Sequence, residues 1–162
     1  EQVLCDIGAV LPGLFYFVHF NESNRVAWHP MLREHFATPW LWVQLACVVQ
    51  YLQQQQLPAP QSQSWRARWG PLWPVVVSTL FFMIPWQFAQ FVMLTQACSL
   101  FALYLLNYTS AAATLTLYGA YLMVVTLNTV LQFGNTLLVD SLFVFFTVAA
   151  SVSILLFRYA PV

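Results

Sequence analysis

The stretch RVAWHPMLRE, residues 25–34, gathers Arg25, His29, Arg33 and Glu34 around Trp28 and Pro30 in a chain that is otherwise almost uncharged. Guanidinium groups are planar forks suited to carboxylate or phosphate, and such pairs are strongest where water is partly excluded. Proline stiffens the turn, and tryptophan is suited to a membrane–water interface. The bland alternative is that arginines beside membrane spans only snorkel to lipid head groups. Arg25 and Arg33 flanking one tryptophan fit a more ordered reading, in which paired forks at a membrane surface hold a lipid-linked phosphate. Glu22 and Glu34 could orient them, and either could instead act as a general base.

Other polar residues sit among apolar neighbours. Gln87 and Gln90 would share a face on a helix, and could bond a neighbouring helix or line a polar cavity. Gln44 and Gln96 read as interhelical glue. Gln132, Gly134 and Asn135 read as helix-end and turn chemistry. Asp140 stands in the last apolar region, where a carboxylate is either functional or at the interface near the start of a span. Cys5, Cys47 and Cys98 are too widely spaced for a disulfide framework or a metal pattern, and read as buried free thiols. The histidines lack ligand spacing, so neither a metal site nor a cofactor is expected.

The elements that must position these residues are membrane helices. Of the 162 residues 60% are hydrophobic and only 6% charged, whereas a soluble domain carries about 25% charged residues. Too little polar surface remains to face water, which points to an all-α polytopic membrane protein. Zero formal net charge suggests no nucleic-acid partner. Apolar runs cover roughly 3–20, 38–54, 71–106, 111–133 and 136–157, and Pro85 interrupts the third. Thr38-Pro39 reads as a cap followed by the first helical residue. Each arginine at a helix centre costs about 2.5–3.5 kcal/mol, so 21–37 reads as a loop or protein-lined cavity. Residues 55–70, rich in Pro, Gln and Ser, read as a flexible loop. Arg66 and Arg68 place that loop in the cytosol by the positive-inside rule. Residues 21–37, the Pro85 break and Gly134-Asn135 then face the lumen, while Asn107–Ser110 and Arg158 face the cytosol. Of two glycosylation sequons, at Asn21 and Asn107, only the first falls on the luminal side. The chain opens Glu1-Gln2-Val3 without an initiator methionine, and is expected to be one transmembrane region, 1–162, of a larger protein.

The ordered motifs RVAWHPMLREHFATPW, PWQFAQFVMLTQACSLF and LQFGNTLL resemble the tryptophan C-mannosyltransferases of the dumpy-nineteen type. Arg25, Val26, Trp28, Pro30, Leu32, Arg33 and Glu34 match that family's luminal-loop pattern, while His29 replaces a threonine and Met31 a proline. Trp86, Gln87, Phe88, Gln90 and Phe91 match a second element intact. The resemblance implies a fragment of a GT-C glycosyltransferase bundle, multi-pass in the endoplasmic reticulum membrane. Such enzymes move mannose from the donor substrate dolichyl-phosphate-mannose to C2 of a tryptophan in W-x-x-W polypeptides. It implies donor-phosphate binding by Arg33, with Arg25 second, where preorganised charge stabilises the departing phosphate. Glu22, Trp28 and Glu34 would support the loop, and Gln87 and Gln90 would contact donor or sugar. The family's acidic base belongs to an earlier luminal loop, so no catalytic base is assigned within 1–162 and the fragment alone is expected to be inactive.

Readings from other classes stand beside this one. A non-catalytic membrane scaffold that kept the fold would lack the upstream acidic residue. A transporter segment, suggested by the glutamines and Asp140 among apolar residues, would show inverted repeats, and none is visible in 1–162.

Overall fold

Backbone groups withdrawn from water must be bonded within their own segment, and among the described residues the apolar runs meet that demand as helices. The computed structural model describes residues 33–56, 70–86 and 88–159. In order these form α1 (Arg33–Gln56), α2 (Trp73–Met83), α3 (Ala89–Leu105), α4 (Ala111–Leu131), α5 (Thr136–Val139) and α6 (Leu142–Tyr159). Among the described residues the regular structure is all helical, as expected. Phe36–Val162 is one compact unit, distinct from Glu1–His35.

Helix ends follow local chemistry. Proline stands in the first turn of α2, where its missing N–H costs nothing. Ser110 caps α4, its side chain accepting the Ala113 N–H at 3.2 Å. The ends of α3 and α4 share one arrangement: a left-handed residue, Asn107 (φ 60°) or Phe133 (φ 56°), turns the chain out of the helix. Tyr108 N–H then reaches back to Leu103 O and Gly134 N–H to Thr129 O, satisfying carbonyls that the helix leaves free.

Packing is organised around α4, which contacts α2, α3 and α6, while α3 and α6 also pack together. Its buried residues, Ala113, Thr114, Leu117, Tyr118, Ala120, Tyr121, Val124, Val125 and Asn128, cover a broad face. The neighbours contribute narrower stripes at helical spacing: Ala89, Met93, Ala97 and Leu100 on α3, and Phe143, Thr147, Ala150 and Ile154 on α6. Trp40 near the start of α1 stacks on Phe81 near the end of α2, at 4.7 Å between ring centroids. Phe101 meets Phe146 edge to face at 6.1 Å, joining α3 to α6, and Gln90 and Phe91 at the start of α3 lie beside Leu142 and Phe143 at the start of α6, so these two helices begin at the same end. The last turns of α2 and α4 therefore share one end of the bundle with the first turns of α3 and α6.

Two stretches are long and apolar enough to cross a membrane: the 21 residues of α4 and the 22 residues Thr136–Phe157. The outward face of α6 is greasy, with Leu142, Phe145, Leu156 and Phe157 between 64% and 68% exposed. Helices α2 and α3 are apolar but shorter.

Several boundaries differ from expectation. Helix α1 begins at Arg33 rather than at Thr38, and carries Pro39 inside it. Arginine, glutamate and alanine are good helix formers, so the charge that suggested a loop is no bar to helix. The run 71–106 does break at Pro85 as expected, into α2 and α3 on either side of Ile84–Phe88. The last apolar region is interrupted at Asp140-Ser141. Cys5 lies outside the described residues; Cys47 and Cys98 are free, but Cys47 is only half-buried and Cys98 is exposed, because Ala97 and Leu100 take the inward face of α3.

Candidate functional site

The end of the bundle shared by the start of α3 and the α5–α6 break carries unpaired polarity. Helix α3 starts immediately after the Pro85 break with Phe88 at its N-cap, which makes Gln90 its second residue. Opposite, Asp140 caps the short α5, its N–H bonding Thr136 O at 2.9 Å. Ser141 restarts the chain: its Oγ donates to Leu138 O at 2.8 Å and accepts the Val144 N–H at 3.4 Å. That is N-cap chemistry for α6. Between these elements lies a cleft of about 260 Å³, lined by Gln90, Phe91 and Leu94 on one side and Leu137, Asp140, Ser141, Leu142 and Phe143 on the other.

The polar inventory of this cleft is uneven. Asp140 is exposed, whereas Gln90 Oε1 is shut off from water and accepts no hydrogen bond. An orphaned buried acceptor costs about 1–3 kcal/mol. Ser141 has nothing spare, since its hydroxyl both donates and accepts within the turn. Two more orphans lie near the end of α4, Asn128 Oδ1 and Gln132 Nε2. Asn128 instead donates to Val124 O at 3.2 Å, and Asn135 donates to Gln132 Oε1 at 3.0 Å. Asn135 also caps α5 by accepting the Leu137 N–H at 3.2 Å. The helix-end role expected for Gln132, Gly134 and Asn135 is what they perform.

Deeper in the bundle polarity is closed. Gln44, fully buried, donates to Gln96 Oε1 at 2.8 Å, and Gln96 donates back to Gln44 Oε1 at 2.9 Å. Tyr121 O–H reaches Gln96 Oε1 at 3.3 Å, and Tyr118 O–H bonds Ala97 O at 2.8 Å. These residues tie α1, α3 and α4 together, as expected of interhelical glue.

Of the seven residues that the family resemblance implicates, the structure describes the side chain of Gln90, which lines the cleft. Arg33 and Glu34 are the first residues of α1, with side chains outside the described set. Glu22, Arg25, Trp28 and Gln87 lie outside the described residues altogether. Asp140, already conspicuous in the sequence, lines the cleft, and Ser141 joins it unexpectedly. The signal of Ser141 was available, because a serine directly before an apolar run is a helix start.

Comparison with known proteins now bears on this end of the bundle. Residues 5–161 match the family model described as "Dpy19: Q-cell neuroblast polarisation". The chain belongs to the Dpy19 family. Protein C-mannosyl-transferase DPY19L1 of Rattus norvegicus is 37% identical over 135 residues, 83% of this chain and 17% of the rat protein. The Homo sapiens protein of the same name is 36% identical over 135 residues, 83% of this chain and 18% of its own. C-mannosyltransferase dpy-19 of Caenorhabditis elegans is 27% identical over 136 residues, 84% of this chain and 18% of the nematode protein. The chain thus spans less than a fifth of the length of these relatives. No solved structure gives a significant match. The Dpy19 match includes the charged stretch 25–34, both helix breaks and every residue of the cleft.

Proposed function

We propose that the parent protein of this Dpy19 chain is a C-mannosyltransferase, and that residues 1–162 are part of its transmembrane bundle. The observation that carries the reading is the match over residues 5–161 to a family whose relatives bear that activity in their names. The donor is dolichyl-phosphate-mannose, and the acceptor carbon is C2 of a tryptophan in a W-x-x-W polypeptide. The protein is multi-pass in the endoplasmic reticulum membrane, with 21–37 luminal and 55–70 cytosolic. Two stretches long and apolar enough to cross a membrane, and the apolar outer face of α6, support a membrane-spanning bundle.

In this reading a lipid-borne sugar phosphate explains why arginines accompany a greasy bundle. Arg33, with Arg25, holds the donor phosphate and stabilises its charge as the glycosidic bond breaks. Bidentate guanidinium–phosphate pairing supplies both the charge and the orientation. Glu22, Trp28 and Glu34 hold the loop, while Gln87 and Gln90 contact the donor sugar. The general base lies outside this chain.

The test uses the full-length parent with dolichyl-phosphate-mannose and a W-x-x-W peptide. Mass spectrometry should find one hexose attached through carbon to tryptophan. His29 and Met31 stand where the family pattern has threonine and proline, which favours a second reading, a scaffold that kept the fold. An expressed, donor-binding parent that transfers nothing establishes the scaffold and overturns the enzyme.

A further inference from the structure

We propose that one buried water joins Gln132 to Asn128 at the end of α4, completing a one-way chain of amide hydrogen bonds that holds α5 in place. The proposal stands on geometry and is independent of whether the parent transfers sugar.

The chain is pinned at both ends by backbone groups. Leu137 N–H only donates, so Asn135 presents Oδ1 to it, at 3.2 Å. That leaves the Asn135 amide nitrogen to donate to Gln132 Oε1, at 3.0 Å. Gln132 therefore carries Nε2 at its other corner, where it is buried and has no acceptor. From the opposite end, Val124 O only accepts, so Asn128 turns Nδ2 to it at 3.2 Å. Asn128 Oδ1 is then left buried without a donor. Turning any of the three amides over would set donor against donor or oxygen against oxygen.

The two loose ends are complementary. One donates and the other accepts, and residues four apart lie on one face of a helix, about 5–6 Å between Cβ atoms. The group that joins them accepts a hydrogen bond from Gln132 and donates one to Asn128. A hydroxyl or a water does both. The hydroxyls along this stretch are committed, since Thr126 donates to Leu122 O and Thr129 to Val125 O, each at 2.9 Å. Asn128 is wholly enclosed, which excludes a larger ligand reaching in from outside. A single water fits, because buried waters sit where they satisfy about three otherwise unpaired polar groups.

The consequence falls on α5. Its four residues are too few to sustain a helix by themselves, and it is kept by the Asn135 cap and by buried Leu138. Asn135 is oriented by Gln132, and Gln132 by the water. Helix α5 and its C-cap Asp140 in turn form part of one wall of the cleft. Asn128 and Gln132 are thereby positioning residues for that wall.

The experiment images the full-length parent in lipid nanodiscs by cryo-electron microscopy, at a resolution that shows ordered water. A separate density within about 2.7–3.2 Å of both Gln132 Nε2 and Asn128 Oδ1 is expected. Direct contact between the two side chains, or nothing between them, overturns the proposal. Hydrogen exchange then reads the coupling. Asn128→Leu keeps the bulk of the side chain and removes the acceptor of the water, without touching Gln132 or Asn135. It should speed exchange in peptides spanning 135–141 several-fold, as expected for the loss of about one buried hydrogen bond, and leave α3 unchanged. Exchange in α5 that stays as in wild type, or rises no more than in α3, also overturns the proposal. The wild-type map needs no variant, so the test survives if Asn128→Leu does not assemble.

Discussion

Gln44 and Gln96 face each other across α1 and α3 as a reciprocal amide pair, each donating to the other at 2.8 and 2.9 Å. No water reaches Gln44, so an unpaired partner has nowhere to turn. Gln44→Leu or Gln96→Leu alone should destabilise the bundle by about 1–2 kcal/mol, since each strands the opposite amide. The double variant should cost less than the sum of the singles, with a coupling of about 1 kcal/mol. Thermal melts of all four proteins in detergent provide the cycle, and additive losses would show that the pair carries no coupling.

Phe133 should be improvable. It sits at φ 56° and is fully exposed, so it bears the strain of a left-handed residue without burying its ring. That conformation costs a non-glycine residue about 1–2 kcal/mol. Phe133→Gly should raise stability by about 0.5–1 kcal/mol after the entropy cost of glycine is subtracted. Phe133→Ala should show no such gain, because the strain remains. Gly134→Ala should do the reverse and destabilise, as Gly134 stands at φ 83°. Melting temperatures of the three variants decide the point.

Helix breaks and interhelical glue were legible in the sequence because each has a local signature. Pro85 cannot continue a helix, Gly134-Asn135 suits a turn and cap, and lone glutamines in apolar runs need partners. The start of α1 was not legible. Thr38-Pro39 is a good cap signal, but REHFA propagates helix upstream of it, and charge alone does not distinguish a helix from a loop. Asp140 was visible as an anomaly, yet its nearness to Gln90 depends on α3 and α6 running parallel. The sequence holds no local trace of that pairing. Cys98 failed for a related reason: residence in an apolar run does not say which face looks inward.

Arg33 should matter to chemistry more than to folding. Arg33→Ala in the full-length parent should lower kcat/KM for the lipid-linked donor by about 10²–10³, the scale of losing one preorganised charge stabiliser. Arg33→Lys should recover only part, because a point charge replaces a fork. Arg25→Ala should cost less than Arg33→Ala. Equal kcat/KM for Arg33→Ala and wild type, at equal expression, would remove Arg33 from donor binding.

The topology can be read by single-cysteine labelling in a parent whose own cysteines are replaced. Alternating helix directions put Tyr108 and Thr136 at opposite ends of α4, and both are exposed. Ser62 lies in the connector between α1 and α2, on the side that Arg66 and Arg68 assign to the cytosol. An impermeant maleimide added outside sealed microsomes should therefore label Ser62→Cys and Tyr108→Cys. Thr136→Cys should react only after the vesicles are opened. The two outer positions must behave alike, since α2 and α3 return the chain to its starting side. Labelling of Ser62→Cys without Tyr108→Cys would mean that α2 and α3, the shorter pair, do not both cross. The end of the bundle that carries Gln90 would then lose its assignment to the lumen, and with it any access to a luminal sugar.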